Sequence, residues 1–207
     1  MTLVDRFQKV VGSIITLVEP LPFVSLARMI GIPIGQMRAA LAKLPSVISI
    51  PENAQDTPQI YHPSFPDFLK DPTRCTDSDL LIIPSAVHTR LASNCLRLMR
   101  SDLKRDICNI ADPTKLNDQV EGLKDRIGKA ILPCVRYACL HWSEHVSNAK
   151  VGDPEVKEQL EWFCRHGVMY WLEALSLLGS LEKGAPFLEH VREWAVSKRT
   201  IFQLKHF

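Results

Sequence analysis

The chain has 207 residues, of which 46% are apolar and 23% charged, with a net charge of +2. That length allows one large or two small domains, each able to bury a core. The near-neutral balance excludes a global bias toward nucleic acid or an anionic membrane surface. Asp5, Arg6 and Lys9 precede only a short apolar segment, which fits neither a signal peptide nor a membrane span, so a cytoplasmic protein is expected.

Leu3, Phe7, Val10, Val11, Ile14 and Leu17 recur at helical spacing, predicting a first amphipathic helix over residues 3–18, ended by Glu19-Pro20-Leu21-Pro22. Val24, Leu26, Ala27 and Ile30, a break at Gly31-Ile32-Pro33, and then Ile34, Met37, Leu41 and Leu44 read as two short helices around a tight turn. Val47 to Ile50 and Gln59 to Tyr61 are β-prone runs joined by a turn-favouring PENAQDTP segment. His62-Pro63 then opens a closing helix with Phe65, Phe68 and Leu69 on one face and Asp71-Pro72 as its stop. Helix, turn, helix, hairpin and helix is the order of a winged-helix domain.

After a polar joint at residues 71–79, the pattern from Pro84 onward is helical throughout. One helix carries Val87, Leu91, Cys95, Leu98 and Leu103 on a face, with Ser85 as its expected N-cap and Arg90, Arg97, Arg100 and Lys104 on the other face. A second begins near Val120 and is interrupted before Pro133. A loop is expected over residues 148–154. A long helix follows, apolar on all sides through Leu160, Phe163, Cys164, Met169, Trp171, Leu172, Leu175 and Leu178, which predicts burial all round. A last helix is expected over 187–204. The fold class expected is therefore mainly α: a winged-helix domain with a small hairpin over 1–83 and an all-α helical bundle over 84–207. Cys75, Cys95, Cys108, Cys134, Cys139 and Cys164 lack any CxxC pair and mostly fall inside helical apolar patterns, so reduced core thiols are expected, although an even number permits disulfides.

Several constellations carry possible chemistry. A winged helix points first to DNA, but the second helix of the turn offers only Arg38 and Lys43, and residues 44–61 hold no basic residue for phosphate contact. An interaction module is the better reading, with a DNA-binding transcriptional regulator as the alternative. His141, Glu144 and His145 match HxxEH, a zinc-peptidase spacing, without a visible third ligand; core-edge and surface histidines are expected instead, and Glu173 reads as an ordinary helix-surface residue. Gly179 to Gly184 has phosphate-loop glycine spacing, yet Ala185 and Pro186 stand where Lys and Ser or Thr are required, so it reads as a helix-helix turn. No GxSxG supports a serine nucleophile. Arg97, Arg100 and Lys104 alternate with acids and read as a solvated face. No enzyme activity is expected. His62 stands at the corner between the second strand and the closing helix; it can donate a charge-assisted hydrogen bond to a phosphate, or serve as a helix-capping or core-edge histidine.

The segments IYHPSFPDFL, HTRLASNCLRLM, LKRDICNI, VRYACLHWSEHV and MYWLEALSLLG, in this order and spacing, resemble the region after the nucleotide-binding domain in NACHT-type STAND proteins. These signal-transducing NTPases include NOD-like receptors and fungal heterokaryon-incompatibility proteins, and the fungal members look most similar. The resemblance implies a winged helix that folds back over nucleotide held by an upstream NTPase domain, with the histidine matching His62 contacting the β-phosphate of ADP in the resting state. It implies ADP or ATP as cofactor only when that domain is present, protein partners in cis or in trans, homo-oligomerisation on activation, and neither nucleic acid nor membrane as partner. The phosphate loop, the magnesium-binding acidic segment and the sensor repeats of the family are missing from this sequence, so a regulatory fragment or remnant without catalysis of its own is expected.

Overall fold

The computed structural model describes residues 2–112 and 114–197 and is mainly helical. Helix α1 spans Leu3–Thr16 and starts in a reciprocal cap: the Asp5 N–H donates to the Thr2 hydroxyl at 3.0 Å and the Thr2 N–H donates to the Asp5 carboxylate at 2.9 Å. Helix α2 (Phe23–Ile30) ends at Gly31, whose φ of 67° is left-handed and whose N–H closes on the Ala27 carbonyl. That geometry is why glycine stands at this stop. Pro33 then sets the entry to α3 (Ile34–Leu41).

Strands β1 (Ile48–Ser49) and β2 (Gln59–Ile60) pair antiparallel, Ile48 opposite Ile60 and Ser49 opposite Gln59. Their connecting loop folds back onto the start of α2, where the Phe23 and Val24 N–H groups donate to the carbonyls of Asp56 and Ala54, each at 2.9 Å. Two donors that a helix N-terminus leaves without partners are thereby satisfied by the loop backbone. Helix α4 (Ser64–Lys70) follows directly.

The long helix α5 (Pro84–Asp102) makes its most extensive contact with α7 (Pro133–Ser147) and also packs on α1, α2 and α8 (Pro154–Trp162). Helix α6 (Leu123–Ala130) precedes α7, and the break before Pro133 falls as the proline predicts. Phe23, Leu26, Met37, Leu41, Ile48 and Leu69 are fully buried around the first helices and the hairpin. A second group is aromatic: Trp142 and Phe163 lie 4.6 Å apart between ring centroids, and Trp171 meets both edge-on at 5.7 and 5.6 Å. Edge-to-face packing of this kind adds about 0.5–1.5 kcal/mol per pair beyond the burial itself.

Five expectations are corrected. The cap of α5 is Ile83, with Pro84 at the first helical position; Ser85 lies inside the first turn, where its side chain cannot cap. The long apolar helix is not uniform: α8 passes through a wider turn with i to i+5 bonding at Phe163–Gly167 into α9 (Val168–Leu177). Nor is it buried all round, for Met169 is 73% and Tyr170 36% exposed. Cys164, inside the wide turn, is also exposed, whereas the other five cysteines are buried and none is in a disulfide. Helix α10 (Gly184–Ser197) begins three residues before its expected start, and the expected continuation over 198–204 lies outside the described residues.

Candidate functional site

The corner at His62 is built by the strand before it and the helix after it. The Tyr61 N–H donates to the Val47 carbonyl at 3.1 Å, prolonging the hairpin pairing up to the residue before His62. Pro63 and Ser64 then turn the chain into α4. The Ser64 N–H donates to His62 Nδ1 at 3.1 Å, and the Ser64 hydroxyl oxygen lies 2.8 Å from the same nitrogen. An acceptor at Nδ1 places the proton of a neutral ring on Nε2. His62 is exposed, so it caps the helix with one nitrogen and keeps Nε2 as a donor outside that cap. The helix-capping expectation matches this geometry, whereas the core-edge one does not, because the ring is exposed.

Arg38 is engaged within the fold. It donates to the Glu52 carbonyl at 2.8 Å, and its guanidinium lies 5.4 Å from the centre of the Phe23 ring. It therefore ties α3 to the hairpin loop and to the buried face of α2.

The structure does not bring the HxxEH residues together. Glu144 is exposed, while His141 is half-buried with Nε2 3.6 Å from the Glu19 carboxylate. His145 is neither at the core edge nor on the surface, as expected from the sequence, but completely buried. Its two ring nitrogens are both occupied: Nε2 lies 2.8 Å from the Tyr137 hydroxyl, and Nδ1 lies 2.9 Å from Nδ1 of His88. The Val18 N–H donates to the Tyr137 oxygen at 3.0 Å. Among the described residues no three His, Cys, Asp or Glu side chains gather as a metal cage.

The chain Val18, Tyr137, His145 and His88 joins the end of α1 to α7 and α5. Burial drives His145 down to about 3, with neighbouring His88 and His141 acting in the same direction. Burial likewise lowers His88, and Lys70 adds to it. Both rings are therefore neutral at pH 7, which the donor-to-acceptor sequence along the chain requires. This network escaped sequence reasoning. Its only trace there is position: His145 continues the buried Ala138 and Trp142 face at helical spacing, and His88 adjoins Val87 on α5.

Glu173, read as a surface residue, is instead a buttress. Its carboxylate accepts the N–H groups of Asp106 and Ile107 at 3.2 and 3.1 Å, and the Asp106 carboxylate accepts those of Ile110 and Ala111 at 2.6 and 3.0 Å. Comparison with protein-family models, with curated proteins and with solved structures found no match. Among the described residues no helix is long and apolar enough to cross a membrane.

Proposed function

We propose that this chain is the regulatory segment of a STAND signalling NTPase, a winged helix followed by a helical domain, which holds the ADP-bound resting state and relays sensor movement to it. The observation that carries the reading is the His62 corner. A histidine whose Nδ1 is occupied by Ser64 is fixed in direction, and its Nε2–H is left to donate to an anion brought by another domain. Lys70 at the end of α4 donates to the Ile15 carbonyl of α1 at 3.1 Å, and packing from α1 and α2 through α5 to α7 supports a mechanical route toward the C-terminal helices. In this reading the nucleotide, ADP or ATP, belongs to an upstream NTPase domain acting in cis or in trans, and the chain itself catalyses nothing. Release of the His62 contact on nucleotide exchange would open the protein and permit oligomerisation. Such control is a coupling free energy between sites, typically about 1–3 kcal/mol.

The alternative, a DNA-binding regulator, has less support because Arg38, one of two basic residues on the presumed recognition helix, is held by the Glu52 carbonyl and the Phe23 ring. The test is ADP retention by the protein that joins this chain to a nucleotide-binding domain. His62→Ala is expected to release ADP faster and to oligomerise without stimulus. Unchanged release would remove His62 from the mechanism, and a transcript of the source that encodes no phosphate loop upstream of Met1 would remove the cis arrangement.

A further inference from the structure

On the opposite side of α5 from the histidine network's far end, helices α1, α2 and α5 enclose an open cleft of about 670 Å³. That volume lies in the range of small-molecule pockets. Its lining is unusual in charge: Lys9, Arg28, Arg90 and Arg97 face one carboxylate, Glu155. We propose that this cleft binds an organic phosphate, its phosphate held by Lys9, Arg90 and Arg97 and its carbon body against Met29 and Leu98.

The cations are unequally committed, and that inequality carries the inference. Arg28 is paired with Asp102 at 2.6 Å and fixes one wall. Arg90 is half-buried, yet it donates only to the Gln8 carbonyl, at 3.2 Å, and has no carboxylate partner among the described residues. A guanidinium carries five N–H donors in a fork suited to phosphate oxygens, so most of its donor capacity is open to a ligand. The Lys9 ammonium makes no hydrogen bond or ion pair among the described residues, its carbonyl alone accepting from Ser13. Arg97 donates to the Asn94 side-chain oxygen and lies 3.9 Å from Glu155 with both side chains more than half exposed, and a phosphate can displace the Glu155 pairing at little cost.

A second observation is independent of charge. Ser93, on the cleft wall, is 3% exposed, and its hydroxyl has no hydrogen-bond partner. On the same helices Ser13 donates to the Lys9 carbonyl and Thr89 to the Ser85 carbonyl, each at 2.7 Å, whereas Thr16 at the end of α1 also lacks a partner but does not line the cleft. A buried hydroxyl left without such a bond is costly unless something supplies an acceptor. Phosphate oxygens are acceptors only, and so complement Ser93 and the cations together. Met29 and Leu98, both buried, supply apolar surface beside them.

The test is calorimetric titration of the purified chain with phenyl phosphate and, separately, with inorganic phosphate, at low and at moderate salt. Expected is saturable one-to-one binding, tighter for phenyl phosphate and weaker at higher salt. Arg90→Gln should weaken it about tenfold. Arg97→Gln, at an exposed position that leaves folding intact, should weaken it several-fold, while Arg165→Gln in the exposed wide turn and His62→Ala should leave it unchanged. Absence of saturation overturns the site, and equal losses in Arg165→Gln would reduce it to diffuse charge attraction. Inorganic phosphate binding as tightly as phenyl phosphate overturns the place given to Met29 and Leu98. Because His62 is remote from these cations in sequence and in element, loss of binding in His62→Ala would also overturn it.

Discussion

Glu173 reaches from α9 to the loop after α5 and accepts the Ile107 N–H at 3.1 Å with one carboxylate oxygen and the Asp106 N–H at 3.2 Å with the other. Asp106, Asn109 and Ala111 all have positive φ in that loop, an unfavourable state for Ala111 in particular. The loop is therefore held by side-chain acceptors in place of its own backbone ladder. Glu173→Ala leaves two part-buried donors without partners and is expected to cost about 2 kcal/mol. Urea denaturation measures that loss, and hydrogen exchange at residues 106–111 should accelerate with it. Retained protection there would show that the Asp106 carboxylate alone holds the loop.

The His145 and His88 network makes stability depend on pH. In the unfolded chain both histidines take up protons near pH 6.5, while in the fold burial keeps them neutral, His145 down to about 3. The unfolded state then binds more protons below pH 6.5, so stability rises with pH and is lost as pH falls from about 6.5 toward 3. His145 contributes a slope of about 1.4 kcal/mol per pH unit in that window, and His88 adds to it in the same direction. Denaturation midpoints at pH 7.5, 6 and 5 measure the slope. His145→Gln should reduce it by about one proton's worth, and an unchanged slope would assign the acid sensitivity to other groups.

Gly167 closes the wide turn between α8 and α9, and there two effects compete. Alanine ordinarily stabilises a helix by about 1 kcal/mol relative to glycine. Here, however, an added Cβ would stand 2.9 Å from Phe163 Cδ2 and 3.2 Å from Trp162 Cζ3. Phe163 is 1% exposed and wedged between Trp142 and Trp171, so it cannot withdraw. Overpacking of this kind costs about 1–3 kcal/mol and should win. Gly167→Ala is expected to lower the thermal midpoint; a rise would mean that the aromatic cluster yields.

Local punctuation carried most of the fold from sequence alone. Gly31, Pro33 and Pro133 each impose or forbid a backbone conformation by themselves, and the helices stop or start at them. His62 was readable for the same reason, since the strand before it and the proline after it define its corner. The wide turn at Phe163–Gly167 was not, because inserting one residue's worth of advance into a helix that is apolar on every side leaves no break in its pattern. Met169 shares that unbroken apolar pattern and is exposed all the same. The Tyr137, His145 and His88 chain joins residues up to 57 positions apart, and Glu173 bonds backbone groups more than 60 positions away. No periodicity encodes such partners. Arg90 and Ser93 were likewise visible only as one charge and one small polar residue on a helix, until the packing of α1 against α5 set them in the same cleft.

The six thiols give the last prediction, because reactivity needs both access and the thiolate. All six are free, and only Cys164 is exposed. Burial pushes Cys139 up to about 12 and drives Cys95 upward as well. Cys134 is raised by burial despite the Arg28 guanidinium, whose Nη1 lies 3.8 Å from its sulfur. Cys164 is not an activated thiol either, since partial burial and the nearby Glu161 charge raise it too. Native protein treated with iodoacetamide should therefore label at one site, Cys164, slowly, and faster as pH rises through the thiol range. In denaturant all six should react. Mass spectrometry of the native reaction identifies the site, and Cys164→Ser should abolish it. Cys108 lies in the loop that Glu173 buttresses, next to Ile107, whose N–H the Glu173 carboxylate accepts, so it is the thiol that local opening would release first. Labelling of Cys108 in Glu173→Ala but not in the parent would join the two results: the carboxylate that holds the loop would then also be what keeps a second cysteine closed. Native labelling of Cys95 or Cys139 at a comparable rate would instead mean that the α5 and α7 interface opens readily, contrary to the packing described above.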